Sequence, residues 1–308
     1  MNSIREQVFA VGAAKSLVAA VAEPVRAGGS LPGVIILNSG IIHRVGHQRK
    51  FVALARELAG RGHTTVRFDF SGIGDSDARE DSLPPLEACM ADIRDVLDWL
   101  ESTRQLKRFV LMGLCSGADH AVFYGGSDSR VVGVVLLDPS IPPTRRYYFH
   151  YFSRRLIRPS SWIKFLIGDG RLSKMIKMKL LRSPIDSSDL DDERVRELLR
   201  GVYARAVANK IEFLAVLTGA GDSRQSYGEQ IFDAFPDLPL RSLLRAEFLE
   251  ECDHLFLFET DRKRLNSIIL NWIDTTRFRD VSCGTGSSLK CVMTLFPSVI
   301  HFCALVAG

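Results

Sequence analysis

The chain has no Cys-x-x-Cys pair and no zinc-ligand spacing among its six cysteines, at positions 89, 115, 252, 283, 291 and 303. That argues against a disulfide scaffold or a zinc module and leaves free intracellular thiols as the simpler reading. Its seven histidines contain no His-Glu-x-x-His, and no metal is expected. No Gly-x-Gly-x-x-Gly follows the first apolar strand and no Walker lysine loop occurs, so the usual cradles for nucleotides are missing and no cofactor is expected. Charge of one sign is scarce as well: the formal net charge is only +4, which gives no general electrostatic footprint for nucleic acid. The start, Met1 to Gln7, has no basic stretch feeding a long apolar run. No signal peptide is therefore expected, and cytoplasmic location follows as the default. The apolar run 291–307 carries Pro297 and His301 and falls short of the roughly 20 residues of a membrane-spanning helix.

What is present describes an ordinary soluble domain. With 308 residues, 46% hydrophobic and 25% charged, one large domain with an inserted subdomain is favoured over two independent folds. Continuous apolar runs at Gly33–Leu37, Thr64–Phe68, Phe109–Met112, Val131–Leu137 and Ile211–Leu217 read as strands buried on both faces. A strand near Leu243–Phe248 follows. Helical patterns alternate with these runs: one with Phe51, Leu54, Ala55 and Leu58 inward, one opened by Pro84-Pro85, and one through Ile268 to Ile273. Such alternation predicts parallel βαβ units in a doubly wound sheet, with an antiparallel pair, Gln7–Val11 and Leu17–Ala22, in front. The rhythm stops at Pro139. Residues 140–209 lack a strong buried strand and are expected to form a helical cap between core segments 1–139 and 210–275, with 276–308 a tail.

Between Val110 and Ala118 an apolar run breaks at Gly113-Leu114-Cys115-Ser116-Gly117. Two glycines flanking one central residue predict a sharp strand-to-helix turn that projects Cys115, the nucleophile elbow usually written with Ser. The helix N-terminus behind it offers unpaired N–H groups to a developing anion. A thiol there needs a base, and a group to orient that base. His254 is the leading base candidate, late in the chain and just after a predicted strand.

Four segments make the chain resemble the α/β-hydrolase family: Val34–Gly40, Arg67–Ser76, the Gly113–Gly117 elbow, and Cys252-Asp253-His254. The resemblance implies a mostly parallel sheet with a cap inserted after the sixth strand. It also implies a triad of Cys115, Asp222 and His254, with the acid in Thr218-Gly219-Ala220-Gly221-Asp222 and Asp138 as its competitor. Oxyanion donors would be the N–H of Ser116 and one on the loop after Leu37. That loop reads Ser39-Gly40 where many members have His-Gly, leaving Gly40 or Ile41; Ile41 is favoured, with Gly40 lining the substrate site. In its Cys-His-Asp set the chain is similar to dienelactone hydrolases. In its Asn38-Ser39-Gly40, Arg44-x-Gly46 and Gly-Leu-Cys-Ser-Gly-Ala segments it is similar to exosortase- and exopolysaccharide-associated hydrolases. The implied activity is cleavage of an ester, thioester or lactone of a small-molecule acyl substrate through an acyl-enzyme on Cys115. An acyltransferase and a noncatalytic ligand binder are the alternatives. Tyr147, Tyr148, Phe149, Tyr151 and Phe152, interleaved with arginines, are expected to contribute to the pocket.

Overall fold

Eight segments rich in Val, Ile, Leu and Phe pair into one twisted sheet in the computed structural model, which describes residues 3–12, 14–25, 31–156, 187–220 and 225–279. They are β1 (Ile4–Val11), β2 (Leu17–Pro24), β3 (Gly33–Leu37), β4 (Thr65–Phe68), β5 (Phe109–Leu114), β6 (Val131–Leu137), β7 (Glu212–Thr218) and β8 (Leu244–Leu249). Their order across the sheet is β1-β2-β4-β3-β5-β6-β7-β8. The first two strands form an antiparallel hairpin, and β2 meets β4 antiparallel. From β4 to β8 all pairings are parallel. Every residue of β3, β4, β5 and β6 is buried, as a strand covered on both faces requires.

The covering helices are α1 (Lys50–Gly60), α2 (Pro85–Arg104), α3 (Ser116–Gly125) and α7 (Glu259–Thr275). Two apolar layers result, one on each face. In one, Ile93, Val96 and Leu97 of α2 and Ala118 and Ala121 of α3 pack on Ile35, Phe68 and Leu111. In the other, Phe51, Leu54 and Leu58 of α1 and Ile269 and Trp272 of α7 pack on Val34, Val110 and Val135. Between β6 and β7 the described residues hold α4 (Arg145–Leu156) and α5 (Ser187–Ala208); α6 (Gln230–Ala234) follows β7. Among the described residues no helix is long and apolar enough to cross a membrane. Most of the predicted tail, from residue 280 on, and cap residues 157–186 lie outside the described residues.

Parallel order puts the C-terminal ends of β3, β5, β6 and β7 along one rim, where a doubly wound sheet places its ligands. At the middle of that rim β5 turns into α3. A Cβ on Gly113 would stand 2.2 Å from the Gly117 carbonyl carbon, and one on Gly117 would stand 2.4 Å from the Asn38 carbonyl oxygen. Neither can be relieved by rotating a side chain, because the obstacle is backbone. Gly117→Ala is therefore expected to destabilise the fold by about 3 kcal/mol, read as a lowered urea midpoint; an unchanged midpoint contradicts the close approach.

Candidate active site

Cys115 sits on the turn itself with φ 56° and ψ −123°, a region that costs a non-glycine residue strain and is held here by its surroundings. Its N–H donates to the Leu137 carbonyl at 2.8 Å, and its carbonyl accepts from Ala118 and Asp119. These bonds fix the residue on both sides, so the half-buried thiol is aimed by the backbone. Ser116 opens α3, which leaves its N–H at the first helical position, where no intrahelical acceptor exists.

The loop after β8 brings His254 to the thiol. Its Nδ1 is 2.8 Å from Asp138 Oδ2, and its ring also hydrogen-bonds the Cys115 side chain, which leaves Nε2 as the atom facing sulfur. The Asp138 carboxylate and then the Cys115 thiol raise His254 to about 9, against the opposing effect of burial. Asp138 ends β6, is 6% exposed and has φ 47°, which turns its side chain along the rim. Its carboxylate also accepts the Thr218 N–H at 2.7 Å and the Thr218 hydroxyl. The acid on His254 is thus the residue that the sequence ranked second. Asp222, which it ranked first, lies outside the described residues. Thr218, on the neighbouring strand β7, grips the Asp138 carboxylate, a cross-strand contact with no local signature.

Two long side chains missed in the sequence hold the histidine loop. Lys50 is buried at the start of α1, donates from Nζ to the Leu255 carbonyl at 3.1 Å, and lies over the rings of Phe51 and Phe256. Burial lowers it to about 8. Arg262, in the first turns of α7, donates to the Phe256 and Leu257 carbonyls and to Gln48 Oε1. Asp253 accepts the N–H groups of Leu255 and Leu257 and so structures the loop. Phe256 itself is left-handed with φ 53°. Carbonyls 255 to 257 therefore each meet a cation, which ties His254 to α1 and α7.

The loop after β3 is held from below. Asn38 donates to the Ile42 carbonyl at 2.6 Å and to Asp69 Oδ1 at 3.0 Å. Fully buried Asp69 also accepts from the Arg44 N–H at 2.6 Å, from the Arg44 guanidinium, and from the Asp75 N–H. His43, Asp69 and Asp75 gather closely enough to suggest metal ligands. Arg44 Nη1 contacts all three, however, at 2.7 Å for His43 and 2.8 Å for Asp75, so a guanidinium supplies the cation. His43 and His47 stand four residues apart. They face different neighbours, since His47 lies in the fields of Lys50 and His254.

At the mouth of the site the Gly40 N–H donates to Ser116 Oγ at 2.7 Å. That bond occupies the Gly40 N–H on a side chain of the elbow; Ile41, the donor favoured from sequence, is 87% exposed. His120, on the nucleophile helix, is pushed down to about 4 by burial. It packs edge-on against Phe70 and stays a neutral core histidine. His63 donates from Nδ1 to the Pro32 carbonyl at 2.9 Å. Further out, Arg145, Arg146, Tyr148, Arg196 and Asp233 line a cavity of about 480 Å³. Thr144 begins α4 by accepting the Tyr147 N–H and pairing with the Tyr227 hydroxyl.

The arrangement of elbow, histidine loop and central sheet agrees with the comparisons. The model of the alpha/beta hydrolase family matches residues 35–268. The chain belongs to that family. Comparison with curated protein sequences gives no match. Among solved structures it is similar to a Klebsiella pneumoniae protein assigned as a dienelactone hydrolase, with 17% identity, TM-score 0.55, and 89% of this chain and 100% of that one covered. It is similar also to the proline iminopeptidase of Mycobacterium smegmatis, with 14% identity, TM-score 0.53, and 88% and 98% covered. A Pyrococcus furiosus esterase gives 14%, 0.53, and 89% and 90%. At these identities the likeness is one of fold: esterase, peptidase and dienelactone hydrolase stand on the same hydrolase-type scaffold, and substrate is set elsewhere.

Proposed function

We propose that this member of the alpha/beta hydrolases cleaves an ester, thioester or lactone through an acyl-enzyme on Cys115. His254 is the base and Asp138 its orienting acid. The observation that carries the reading is the hydrogen-bonded series Cys115–His254–Asp138 centred on a strained elbow. Strain at a buried turn, a base on the thiol and a clamped acid on the base have a common purpose in nucleophilic catalysis.

In this reading Cys115 Sγ attacks the carbonyl carbon as its proton passes to His254 Nε2. The C–S bond forms, and the carbonyl π pair moves onto oxygen. On collapse that pair returns, the bond to the leaving group breaks, and His254 gives its proton to the departing atom. Water then repeats the sequence on the thioester, with Nε2 as base, and releases the acid. The Ser116 N–H at the head of α3 and a second N–H on the loop after β3, that of Ile41, serve the anion. In this reading the described residues between β6 and β7, with Arg145, Arg146, Tyr148 and Arg196 lining a cavity, select the acyl group, and the resemblance to exosortase-associated hydrolases offers a context for the substrate.

Incubation with p-nitrophenyl butyrate followed by acid quench tests the reading. One butyryl group is expected on the peptide that contains Cys115, with stoichiometric release of p-nitrophenol before steady state. Acyl transfer to Ser116 instead, or no acylation, rejects it.

A further inference from the structure

Ser116 is the residue beside the nucleophile, and its N–H already has a role in the reading above. Its side chain does something separate. Ser116 Oγ accepts the Gly40 N–H at 2.7 Å, a contact that crosses from α3 to the loop after β3. A hydroxyl has one proton to donate and two lone pairs. In accepting from Gly40 it spends a lone pair and keeps its proton. The loop that presents Gly40 is rigid for reasons already given: Asn38 holds the Ile42 carbonyl, and Asp69 holds the Arg44 N–H. Gly40 has φ +53°, and a Cβ there would find no atom within 4 Å. The Gly40–Ser116 bond is exposed, at the mouth of the elbow and one residue from Cys115.

Resting on the triad reading, we propose that the Ser116 hydroxyl is a catalytic oxyanion donor, fed by the Gly40 N–H and donating its own proton to the carbonyl oxygen under attack. Donation through the chain Gly40 N–H, Ser116 O–H, oxyanion makes each bond polarise the next. No proton is transferred at this point. The hydroxyl hydrogen stays on Ser116 while the oxygen becomes negative, and it is released when the C=O bond re-forms. The arrangement makes Ser116 act twice, by its N–H and by its side chain, and it accounts for the Gly40 N–H being turned onto a side chain.

The discriminating experiment compares two reactions of the same thiol. Acylation by p-nitrophenyl butyrate builds an oxyanion; alkylation by iodoacetamide displaces iodide at a saturated carbon and builds none. Ser116→Ala is expected to slow acylation about 10- to 100-fold, a part of what a full oxyanion donor supplies, with KM little changed. Its alkylation rate should stay within twofold of the parent, and Ser116→Thr, which keeps the hydroxyl, should recover most of the acylation rate. Equal acylation in Ser116→Ala and parent removes the side chain from the mechanism and leaves the triad standing. Faster acylation in Ser116→Ala also overturns the proposal, by showing that the hydroxyl blocks the Gly40 donor. A parallel fall in both reactions assigns Ser116 a structural role. A parent protein that alkylates but never acylates rejects the triad reading and this inference with it.

Discussion

Asp138→Asn is expected to lower kcat by about 10³- to 10⁴-fold, the scale set by losing the carboxylate that fixes a catalytic imidazole. The carboxylate holds a proton on His254 Nδ1 and so aims Nε2 at sulfur, where it exchanges a proton with the thiol. An amide at the same place keeps an oxygen for the Thr218 N–H and turns its NH₂ toward Nδ1. The histidine then holds its proton on Nε2 and has no lone pair for the thiol. The same substitution removes the first cause of the raised His254 value, so its titration should fall from about 9 toward its ordinary value near 6.5, followed by NMR of the ring proton. The sign for stability runs with this. A raised histidine contributes fully below its unfolded value and loses the contribution as pH climbs through about 9. The thermal-stability gap between parent and Asp138→Asn should thus be widest below about pH 6.5 and narrow above pH 9. Asp222→Asn should leave turnover near the parent level. The reverse ranking of the two aspartates rejects the assignment.

The sheet and the elbow were legible because each is imposed by local rules. Residues such as Val34–Leu37 and Val131–Leu137 are apolar throughout, which only a doubly covered strand tolerates. Gly113 and Gly117 are the residues whose side chains would strike backbone, so a four-residue spacing carried the steric fact. The acid was not legible to the same degree. Asp138 and Asp222 both follow buried strands, and the Thr218 clamp that holds Asp138 comes from β7, joining residues 80 apart. Lys50 is similar. Next to Arg49, a lysine opening an amphipathic helix reads as surface, and only the tertiary meeting of α1 with the His254 loop buries it. Asp69 follows directly on β4, so its local partners lie in the turn after that strand. It does accept the Asp75 N–H, yet its closer partners lie on the loop after β3, which sequence order cannot bring near. Chain patterns thus located the scaffold and the elbow, while the partners that hold Asp138 and the His254 loop are side chains from other strands and helices.

Cys115→Ala separates two adjacent nucleophiles, and it is expected to cost the largest factor of all. Removing the nucleophile of a hydrolytic triad costs on the order of 10⁶ in kcat, with residual acceleration from binding and the oxyanion donors. Ser116, still carrying its hydroxyl in the variant, is poorly placed to replace it. Its Oγ is engaged by Gly40, whereas the side chain bonded to His254 is that of Cys115. A hydroxyl without a base is a weak attacker at neutral pH, so the neighbour cannot rescue turnover by being close. The fold should be nearly indifferent to the change: alanine at φ 56° bears about the strain that cysteine does, and the thiol is only half-buried. Thermal unfolding within a few degrees of the parent, beside turnover at background, is the expected pair of results. Retained turnover in Cys115→Ala, with acyl label now on Ser116, shifts the register of the elbow by one residue and moves the chemistry from sulfur to oxygen.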